Sequence, residues 1–589
     1  MTTNQTIIEI WRNLSKKRKL QVYSILIFII FVSICEVASI LLIGPLLQII
    51  FHEEINTNLK NSLDNIIRMT EINNIQIRYL LGSGFLMVYI AASIGRLILS
   101  YWQTRLGYFI GSDIGSNIYK KYLAISYDKF IEINSSDAIS LLSVKVGQLV
   151  HGTVTPLINS LSSIISIILI ILSLMYVDAS STMYAFILII IPYASLYFIA
   201  RKIMNRQGVL LNESLSKQIK IITESFRGIK NIKIDGTHDF YIEKFNNVQK
   251  IIGKTSSILN FSTMAPKYLI ESIMVLVIAY FIVINTEGNV VKPGMVTLLG
   301  VFVLAVQRLM PMLQSVYYSL ASLKGSAASV QDIGKELLRE IDYDFKNIAI
   351  TGINSKVNPR DCNMNTILEL NEVKYIYPKN IKPTFEKINL KIKIGEKVAI
   401  VGDSGSGKST LINVIAGLFK PVDGNVFFYT PQAAKPIIAY VSNENYISDS
   451  SAYSNIGLGL DENLIDKNEA VRVANISNIH SRISSFENGY ESILGESGVL
   501  LSSGEKQRLA IARALYKKPD ILILDEGTSA LDENNEKLIL EKINSIYPRL
   551  SIILVTHNEK NLKYCDRVIR LSGDGTICEI KMEKLNDIK

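Results

Sequence analysis

Six long apolar runs occupy the first 325 residues of this 589-residue chain, and no comparable run follows them. Each run approaches the ~20 apolar residues that an α-helix needs to cross the hydrocarbon core of a bilayer. The remainder has the composition of a soluble α/β domain. The sequence therefore predicts a membrane α-helical domain of six transmembrane helices over 1–325, a linker over 326–365 and an α/β domain over 366–589. The predicted spans are Val22–Ile43, Leu80–Tyr101, Leu157–Val177, Met183–Ile203, Leu269–Ile284 with its flanks, and Val296–Tyr317.

Basic residues indicate the orientation of these spans. Lys16–Lys19 immediately precede the first span, and the connection 201–262 holds eleven Lys/Arg against five Asp/Glu. By the positive-inside rule, both termini and the long connections lie in the cytoplasm. Such juxtamembrane residues explain much of the net charge of +9, so no nucleic-acid partner is needed. A cleaved signal peptide is the alternative for the first run, but that run is too long and lacks a small-residue cleavage site.

The cytoplasmic connections are long but do not have the composition of disordered loops. Residues 108–150 and 201–262 contain few Gly or Pro and keep apolar residues at helical spacing. They are expected to continue the membrane helices into the cytoplasm. Two short breaks, near 127–136 and 227–237, are the predicted turning points at which each pair of helices reverses direction. The tips formed there can reach the second domain.

A glycine-rich segment in the second half matches a phosphate-binding loop. Residues 402–409 read Gly-Asp-Ser-Gly-Ser-Gly-Lys-Ser and match G-x-x-x-x-G-K-[ST] at every fixed position. The glycines let backbone N–H groups close around phosphate oxygens, Lys408 brings positive charge to the β- and γ-phosphates, and the Ser409 hydroxyl can ligate Mg²⁺. The predicted nucleotide-binding residues here are Gly402, Asp403, Ser404, Gly405, Ser406, Gly407, Lys408, Ser409 and Thr410.

A second segment, Ile521–Glu526, supplies carboxylates to the same site. Four apolar residues followed by Asp525 and Glu526 fit a buried strand that presents a Mg²⁺-side carboxylate beside a water-orienting one. The loop alone could match by chance, but the two segments together predict a nucleotide-phosphate site. The four cysteines and five histidines are dispersed, so no metal cluster is expected.

Further motifs over 366–589 resemble the ATPase domain of ABC transporters. The six spans in front match the architecture of ABC exporters. The matching segments are Leu501–Glu505 with Lys506–Leu515 (the signature and its helix), Ser529–Asp532 (the D-loop), Thr556 and His557 (the switch histidine) and Tyr377 (the adenine-stacking aromatic).

The resemblance implies an ATP hydrolase that uses Mg²⁺ and couples hydrolysis to transport. Glu526 would polarise the attacking water and His557 would hold the γ-phosphate. The family further implies a head-to-tail dimer with ATP between Lys408 of one chain and Ser502 of the other, and a homodimer is the simplest assembly. Gly504 and Asp532 would also contact ATP, and Ser409, Asp525 and Asn443 would serve the metal.

Each of these residues also has a simpler structural interpretation. Tyr377 could be an ordinary strand aromatic, His557 a capping or core histidine, and Ser502 and Gly504 a helix N-cap and its turn. Their joint order and spacing favour the functional interpretation.

Two motifs depart from the family pattern. Asn443 stands where exporters carry a glutamine, and the shorter amide is expected to reach Mg²⁺ less well and to slow coupling. The signature has Ser503 and Glu505 in place of Gly and Gln. Glu505 is therefore expected to add an unfavourable negative charge near the phosphates.

Ionisable residues within the spans indicate a substrate site. Arg96, Lys267 and Arg308 fall in the inner-leaflet half, where three basic groups would suit an anionic head group. Structural alternatives are equally open, since Lys267 and Glu271 are four residues apart and can pair, while Arg96 can snorkel to the interface. Glu36 is expected to make an interhelical hydrogen bond.

Short segments of the membrane half are similar to bacterial lipid-linked oligosaccharide flippases of the PglK type. That family implies flipping of a polyprenyl-diphosphate glycan across a bacterial inner membrane, with Lys267 and Arg308 near the pyrophosphate. A peptide or drug exporter on the same scaffold, and a nucleotide-gated regulator with weak hydrolysis, remain alternatives. The similar segments are Cys35–Glu36 with Pro45, Ile125–Phe130 with Asn134–Ser136, Pro266–Glu271 and Arg308–Pro311.

Overall fold

A computed structural model of the chain describes most of its residues and divides them into two compact units. The first unit comprises 1–123 and 133–341, and the second comprises 124–132 and 342–589. The described residues are 3–51, 74–177, 179–284, 286–287, 290–291, 295–339, 365–378, 380–429, 436–443, 445–525, 533–556 and 559–580.

The first unit is helical, and each of the six predicted spans lies within one helix. At 1.5 Å per residue, the 51-residue helix α3 is about 77 Å long, which exceeds the ~30 Å hydrocarbon core of a bilayer. The prediction that membrane helices continue beyond the bilayer is thus confirmed. The helices are α1 (Thr3–Asn13), α2 (Lys16–Phe51), α3 (Asn74–Ala124), α5 (Ser135–Ser140), α6 (Val146–Leu149), α7 (Thr155–Val177), α8 (Ala179–Arg227), α9 (Ile229–Asp235), α10 (His238–Ile284), α11 (Met295–Gly325) and α12 (Ala327–Leu338), with α4 (Tyr127–Ile131) assigned to the second unit.

Among the described residues, three helical stretches are long and apolar enough to cross a membrane. They are Lys16–Leu47, Tyr79–Ala124 and Ser135–Tyr176. The last includes two π-helical turns, Leu141–Lys145 and Val150–Val154, on either side of α6. A two-stranded ribbon, β1 (Thr286–Glu287) with β2 (Val290–Val291), lies between α10 and α11.

Both predicted turning points occur where expected. Between α3 and α5 the chain forms the short helix α4, and between α8 and α10 it forms α9, which ends at Gly236 with φ 65°. Glycine adopts this left-handed conformation without steric cost and ends the helix.

Helix α12 packs into the first unit at the start of the predicted linker. Its Asp332 carboxylate lies 2.7 Å from Lys145 Nζ and accepts a hydrogen bond from Asn212 at 3.0 Å. Ile333 and Leu337 of the same helix are buried. Buried apolar residues and a satisfied ion pair together hold α12 against the π-helical turn and α8.

The second unit is an α/β domain built on two sheets. Its six-stranded sheet has the order β11-β10-β5-β9-β8-β7, with β5, β7, β8, β9 and β10 parallel, and a three-stranded antiparallel sheet has the order β4-β3-β6. The strands are β3 (Thr366–Tyr375), β4 (Phe385–Lys393), β5 (Lys397–Val401), β6 (Asp423–Phe428), β7 (Ile438–Val441), β8 (Ile521–Asp525), β9 (Ser551–Val555), β10 (Arg567–Leu571) and β11 (Ile577–Ile580).

Helices cover the parallel sheet, and its central strands are buried accordingly. Every residue of β9 and the first four residues of β8 are buried, as expected for parallel strands covered on both faces. The helices are α13 (Lys408–Ile415), α14 (Ala452–Ile456), α15 (Lys467–Ile476), α16 (His480–Ser484), α17 (Ser503–Tyr516) and α18 (Glu533–Ile546).

Candidate functional site

The glycine-rich loop joins the end of β5 to the start of α13. Gly405 and Gly407 have φ values of 82° and 97°, in the left-handed region that favours glycine. A Cβ added at Gly407 would lie 3.0 Å from Thr384 Cγ2, whereas one at Gly405 would enter open space. The loop therefore needs glycine at 407 for both conformation and space, and Gly405 leaves room for a ligand.

Lys408 lies in the first turn of α13 and folds over the loop. Its Nζ donates hydrogen bonds to the carbonyl oxygens of Gly402 and Asp403 at 2.8 and 2.9 Å. The side chain is buried, at 8% exposure. Because both partners are neutral carbonyls, the ammonium retains its full positive charge for an anion at the helix N-terminus.

A cavity of about 510 Å³ opens beside this loop and brings together residues from distant parts of the sequence. It lies at the carboxyl ends of β5, β8 and β9, where ligands bind in open parallel sheets. Of the predicted residues, its lining includes Tyr377, Ser404, Gly405, Gly407, Lys408, Ser409, Thr410, Asn443 and Asp525. Sequence reasoning missed three further lining residues, Thr384, Ser442 and Val555.

Ser406 is not in the cavity lining, but its hydroxyl indicates an unfilled polar position. The residue is buried, and Ser406 Oγ has no hydrogen-bond partner within the described ranges. Buried hydroxyls are normally hydrogen-bonded, so this oxygen is a candidate to contact a bound ligand.

Tyr377 is fixed by contacts on both ends of its side chain. Its hydroxyl lies 2.9 Å from Thr410 Oγ1. Its ring meets Phe419 edge-on at 5.7 Å, and Phe419 in turn stacks on Tyr375 at 5.0 Å. Tyr377 is therefore held at the cavity wall by α13 and by an aromatic cluster, with its ring available to a planar ligand.

The signature segment forms the N-terminus of α17. Ser502 is the N-cap: its Oγ accepts a hydrogen bond from Glu505 N at 3.3 Å, and Glu505 Oε2 accepts one from Ser502 N at 2.8 Å. This reciprocal pair is a capping box. Arg482 Nε lies 3.3 Å from Glu505 Oε1. Arg482 and the helix N-terminus place positive charge beside Glu505 in this chain. The unfavourable charge expected of Glu505 near the phosphates stays a prediction.

Three predicted residues of the site, Glu526, Asp532 and His557, lie outside the described residues. Glu526 follows the last residue of β8, and His557 follows Thr556 at the end of β9. In the part of the chain that the structure describes, no group of three or more His, Cys, Asp or Glu could hold a metal ion.

In the first unit, two of the three predicted basic residues share contacts. Arg96 Nε lies 2.6 Å from Glu36 Oε1, so Glu36 makes a polar contact to another helix, as expected, and that contact is an ion pair. Arg308 interacts electrostatically with both residues, and its guanidinium lies over the Tyr89 ring at 4.5 Å. We call Glu36, Arg96, Arg308 and Tyr89 the arginine cluster.

Lys267 makes different contacts. Its Nζ lies 3.9 Å from Glu271 Oε1 and 5.9 Å from the centre of the Tyr268 ring. The structural alternative of an i, i+4 pair therefore describes Lys267 in this chain.

Comparisons with known proteins agree with this architecture. The family model described as ABC transporter transmembrane region matches residues 22–310, and the one described as ABC transporter matches residues 385–529. The chain is 26% identical over 510 residues to ABC transporter B family member 1 of Dictyostelium discoideum, which covers 85% of this chain and 54% of that relative. It thus spans about half the length of that relative.

A shorter match covers the ATPase part. The chain is 38% identical over 211 residues to the colicin V secretion/processing ATP-binding protein of Escherichia coli, covering 35% of this chain and 30% of that protein. Among solved structures, a bacterial Atm1-family ABC exporter with ATP bound superposes with a TM-score of 0.73 at 17% identity, over 94% of each chain. At that identity, the likeness shows a shared fold.

Proposed function

Because the chain belongs to the ABC transporters, with their transmembrane region and their ATPase domain, we propose that it hydrolyses ATP to export an anionic, lipid-linked glycan. The sequence predicted both an ABC transporter and a multi-pass membrane protein, and both predictions are confirmed. Direction and cargo are the proposed part, together with location in a bacterial inner membrane with both termini in the cytoplasm.

The cavity beside Lys408 supports ATP as the nucleotide. It combines a buried ammonium, an open position at Gly405 and the nearby unpartnered Ser406 hydroxyl, all suited to phosphate oxygens. Ser409 and Asp525 line the same cavity and offer the oxygen ligands that Mg²⁺ prefers. Bound there, the ion would neutralise phosphate charge, and Asn443 lines the wall beside it.

The proposed roles of Glu526 and His557 rest on the family resemblance and on their places in the sequence. Glu526, directly after β8, would orient the attacking water, and His557 would contact the γ-phosphate. Hydrolysis of this kind depends mainly on positioning and on charge stabilisation.

The proposed assembly is a homodimer. The N-terminus of α17 offers free N–H groups and a positive dipole end to a phosphate, and Ser502, Gly504 and Asp532 would approach ATP held by the other chain. The capping hydrogen bond uses Ser502 Oγ as an acceptor, which leaves its O–H to donate. Glu526→Gln should trap this dimer in the presence of ATP, as size-exclusion chromatography would show.

The arginine cluster is the single observation that carries the proposed cargo. Two guanidinium groups face one carboxylate, so the cluster has an excess positive charge. Arg96 Nη2 and Arg308 Nη2 are buried without hydrogen-bond partners among the described residues. Unpaired buried donors are costly, and a phosphate or pyrophosphate group would satisfy them.

The test uses full-length protein reconstituted in vesicles with a fluorescent lipid-linked oligosaccharide. Arg308→Gln removes the guanidinium without breaking the Arg96–Glu36 pair, and Lys267→Gln is the matched control. We expect Arg308→Gln to retain basal ATP hydrolysis and lose most glycan flipping, and Lys267→Gln to flip normally. Normal glycan flipping by Arg308→Gln would overturn the cargo assignment. Transport of peptides or drugs by the wild type would then favour the alternative of a peptide or drug exporter.

A further inference from the structure

A second cavity, of about 440 Å³, lies between α2 and α3 in the first unit. Its α2 wall includes Lys17, Arg18 and Gln21, and its α3 wall includes Trp102, Arg105 and Phe109. Gln21 follows Lys17 and Arg18 by four and three residues, and the α3 residues are three, four and seven apart, so each set lies on one side of its helix. We call this cavity the α2–α3 groove. It is separate from the arginine cluster, none of whose residues lines it.

Arg18 is a fixed cation in the groove. Its Nε and Nη2 lie 2.8 and 3.2 Å from the two carboxylate oxygens of Asp113, and its Nη1 donates to Gln21 at 3.1 Å. The guanidinium carbon lies 4.6 Å from the centre of the Phe109 ring. Bidentate pairing and ring stacking hold this side chain in one orientation, so it forms part of a built wall.

Lys17 and Arg105 supply positive charge that no described carboxylate balances. Both are exposed, and within the described ranges neither has a carboxylate partner. The Arg105 guanidinium lies 5.3 Å from the centre of the same Phe109 ring. Asp113 compensates Arg18, so among the described residues the groove retains two cations without a carboxylate partner, Lys17 and Arg105.

The floor of the groove is apolar. Ile25 and Leu106 line it and are buried, and Trp102 packs against Phe28 with ring centres 5.1 Å apart. Basic side chains and apolar or aromatic side chains therefore line the same groove, a combination that suits an amphiphile with an anionic head. Tryptophan beside basic residues is also typical of the membrane–water interface.

We propose that the α2–α3 groove binds an anionic phospholipid of the cytoplasmic leaflet, with its phosphate between Lys17 and Arg105 and its acyl chain along Ile25 and Leu106. This rests on the orientation in the proposed function, in which α2 begins at Lys16 on the cytoplasmic side. Basic residues next to a span attract anionic headgroups at that depth. A lipid bound there would join α2 to α3 near the ends of the first two spans.

The experiment measures lipid retention in the absence of ATP and glycan. Full-length protein is purified from nanodiscs containing equal amounts of phosphatidylglycerol and phosphatidylcholine of the same chain length, and retained lipids are counted by native mass spectrometry. The double variant Lys17→Gln/Arg105→Gln is compared with Lys250→Gln/Lys254→Gln, which removes the same charge from exposed positions of α10. A parallel arm adds inorganic phosphate as competitor.

We expect the wild type and the α10 control to retain phosphatidylglycerol in preference to phosphatidylcholine. Each basic residue near a membrane surface contributes about fivefold to the affinity for an anionic lipid. The preference for phosphatidylglycerol over phosphatidylcholine should therefore be about 25-fold weaker in the groove variant than in the wild type. Unchanged preference in the groove variant overturns the proposal, as does full displacement by phosphate, which would indicate a phosphate site. No preference in the wild type also overturns it. These readouts involve no transport, so a wrong cargo assignment would not affect them.

Discussion

The hydroxyl of Tyr440 donates a hydrogen bond to Asp525 Oδ2 at 2.9 Å, across neighbouring parallel strands. Burial, reinforced by the Asp525 charge and this hydrogen bond, raises the pKa of the Tyr440 phenol above its ordinary value. Tyr440 therefore remains a neutral donor at physiological pH and fixes the orientation of the proposed magnesium ligand. Hydrogen bonds to a ligating carboxylate commonly determine how well it binds a metal.

Tyr440→Phe should weaken magnesium-dependent hydrolysis. The substitution keeps the ring and removes the donor, so Asp525 loses its fixed orientation. Loss of such a partner typically costs about 10–100-fold in metal affinity. We expect the Mg²⁺ concentration for half-maximal ATP hydrolysis to rise by about tenfold, with ATP binding in EDTA unchanged. An unchanged magnesium dependence would mean that Tyr440 does not orient a metal ligand.

Lys408→Ala should abolish productive ATP binding. The variant removes the buried ammonium that closes the loop over Gly402 and Asp403. Contacts to a charged group are worth about 1.5–3 kcal/mol each, so loss of contacts to two phosphates lowers affinity by at least about 100-fold. Titration with a fluorescent ATP analogue measures this. Lys420→Ala, at an exposed position after the same helix, is the control and should bind normally.

The loop, the carboxylate strand and the six spans could be predicted because each is a local pattern. A phosphate-binding loop is recognised from the spacing of its glycines, and a membrane span from the length of its apolar run, without knowledge of distant contacts. The Tyr440–Asp525 contact could not be predicted, because these residues are 85 positions apart and meet only because their strands are neighbours in the sheet. The sequence also could not show that Arg96 and Arg308 share contacts whereas Lys267 does not. Equal depth in a membrane does not determine which helix faces meet. The sequence did contain the Ser502–Glu505 capping box, as serine followed three residues later by glutamate.

Tyr127 links the turning-point helix α4 to the nucleotide cavity. Its ring stacks on Phe419 at 5.9 Å, and Phe419 contacts both Tyr375 and Tyr377. Tyr127 is 42% exposed, whereas Phe419 is 2% exposed. An aromatic pair is worth about 0.5–1.5 kcal/mol beyond its buried area, so loss of the exposed partner is tolerable.

Tyr127→Ala should uncouple cargo from hydrolysis while leaving the fold intact. We expect basal ATP hydrolysis and the unfolding temperature to change little, and stimulation by the transported lipid to fall towards the basal rate. Phe130→Ala, which removes another exposed aromatic of α4, is the control and should preserve stimulation. If the transported lipid stimulated ATP hydrolysis equally in Tyr127→Ala and the wild type, the Tyr127–Phe419 stack would not couple cargo binding to hydrolysis.

Asp332→Asn should destabilise the first unit in a pH-dependent manner. Burial alone would raise the pKa of Asp332, but hydrogen bonds from Lys145 and Asn212 and the charges of Lys145 and Lys335 outweigh it and lower the pKa. A depressed carboxyl pKa stabilises the fold above the unfolded value of about 3.9, and this contribution is lost as pH falls through the folded pKa. At neutral pH the variant leaves the buried Lys145 ammonium without its carboxylate and should lose about 1–3 kcal/mol.

The stability difference between wild type and Asp332→Asn should therefore be full near pH 7 and shrink below about pH 4, because asparagine does not titrate. Unfolding in detergent, followed by circular dichroism across that range, measures it. Lys335→Gln is the control: its Nζ lies 3.5 Å from Asp332 Oδ1 but the side chain is 66% exposed. Exposed pairs contribute little, so this variant should follow the wild type at every pH. A difference for Asp332→Asn that persists undiminished at pH 3 would show that the carboxylate charge does not stabilise α12.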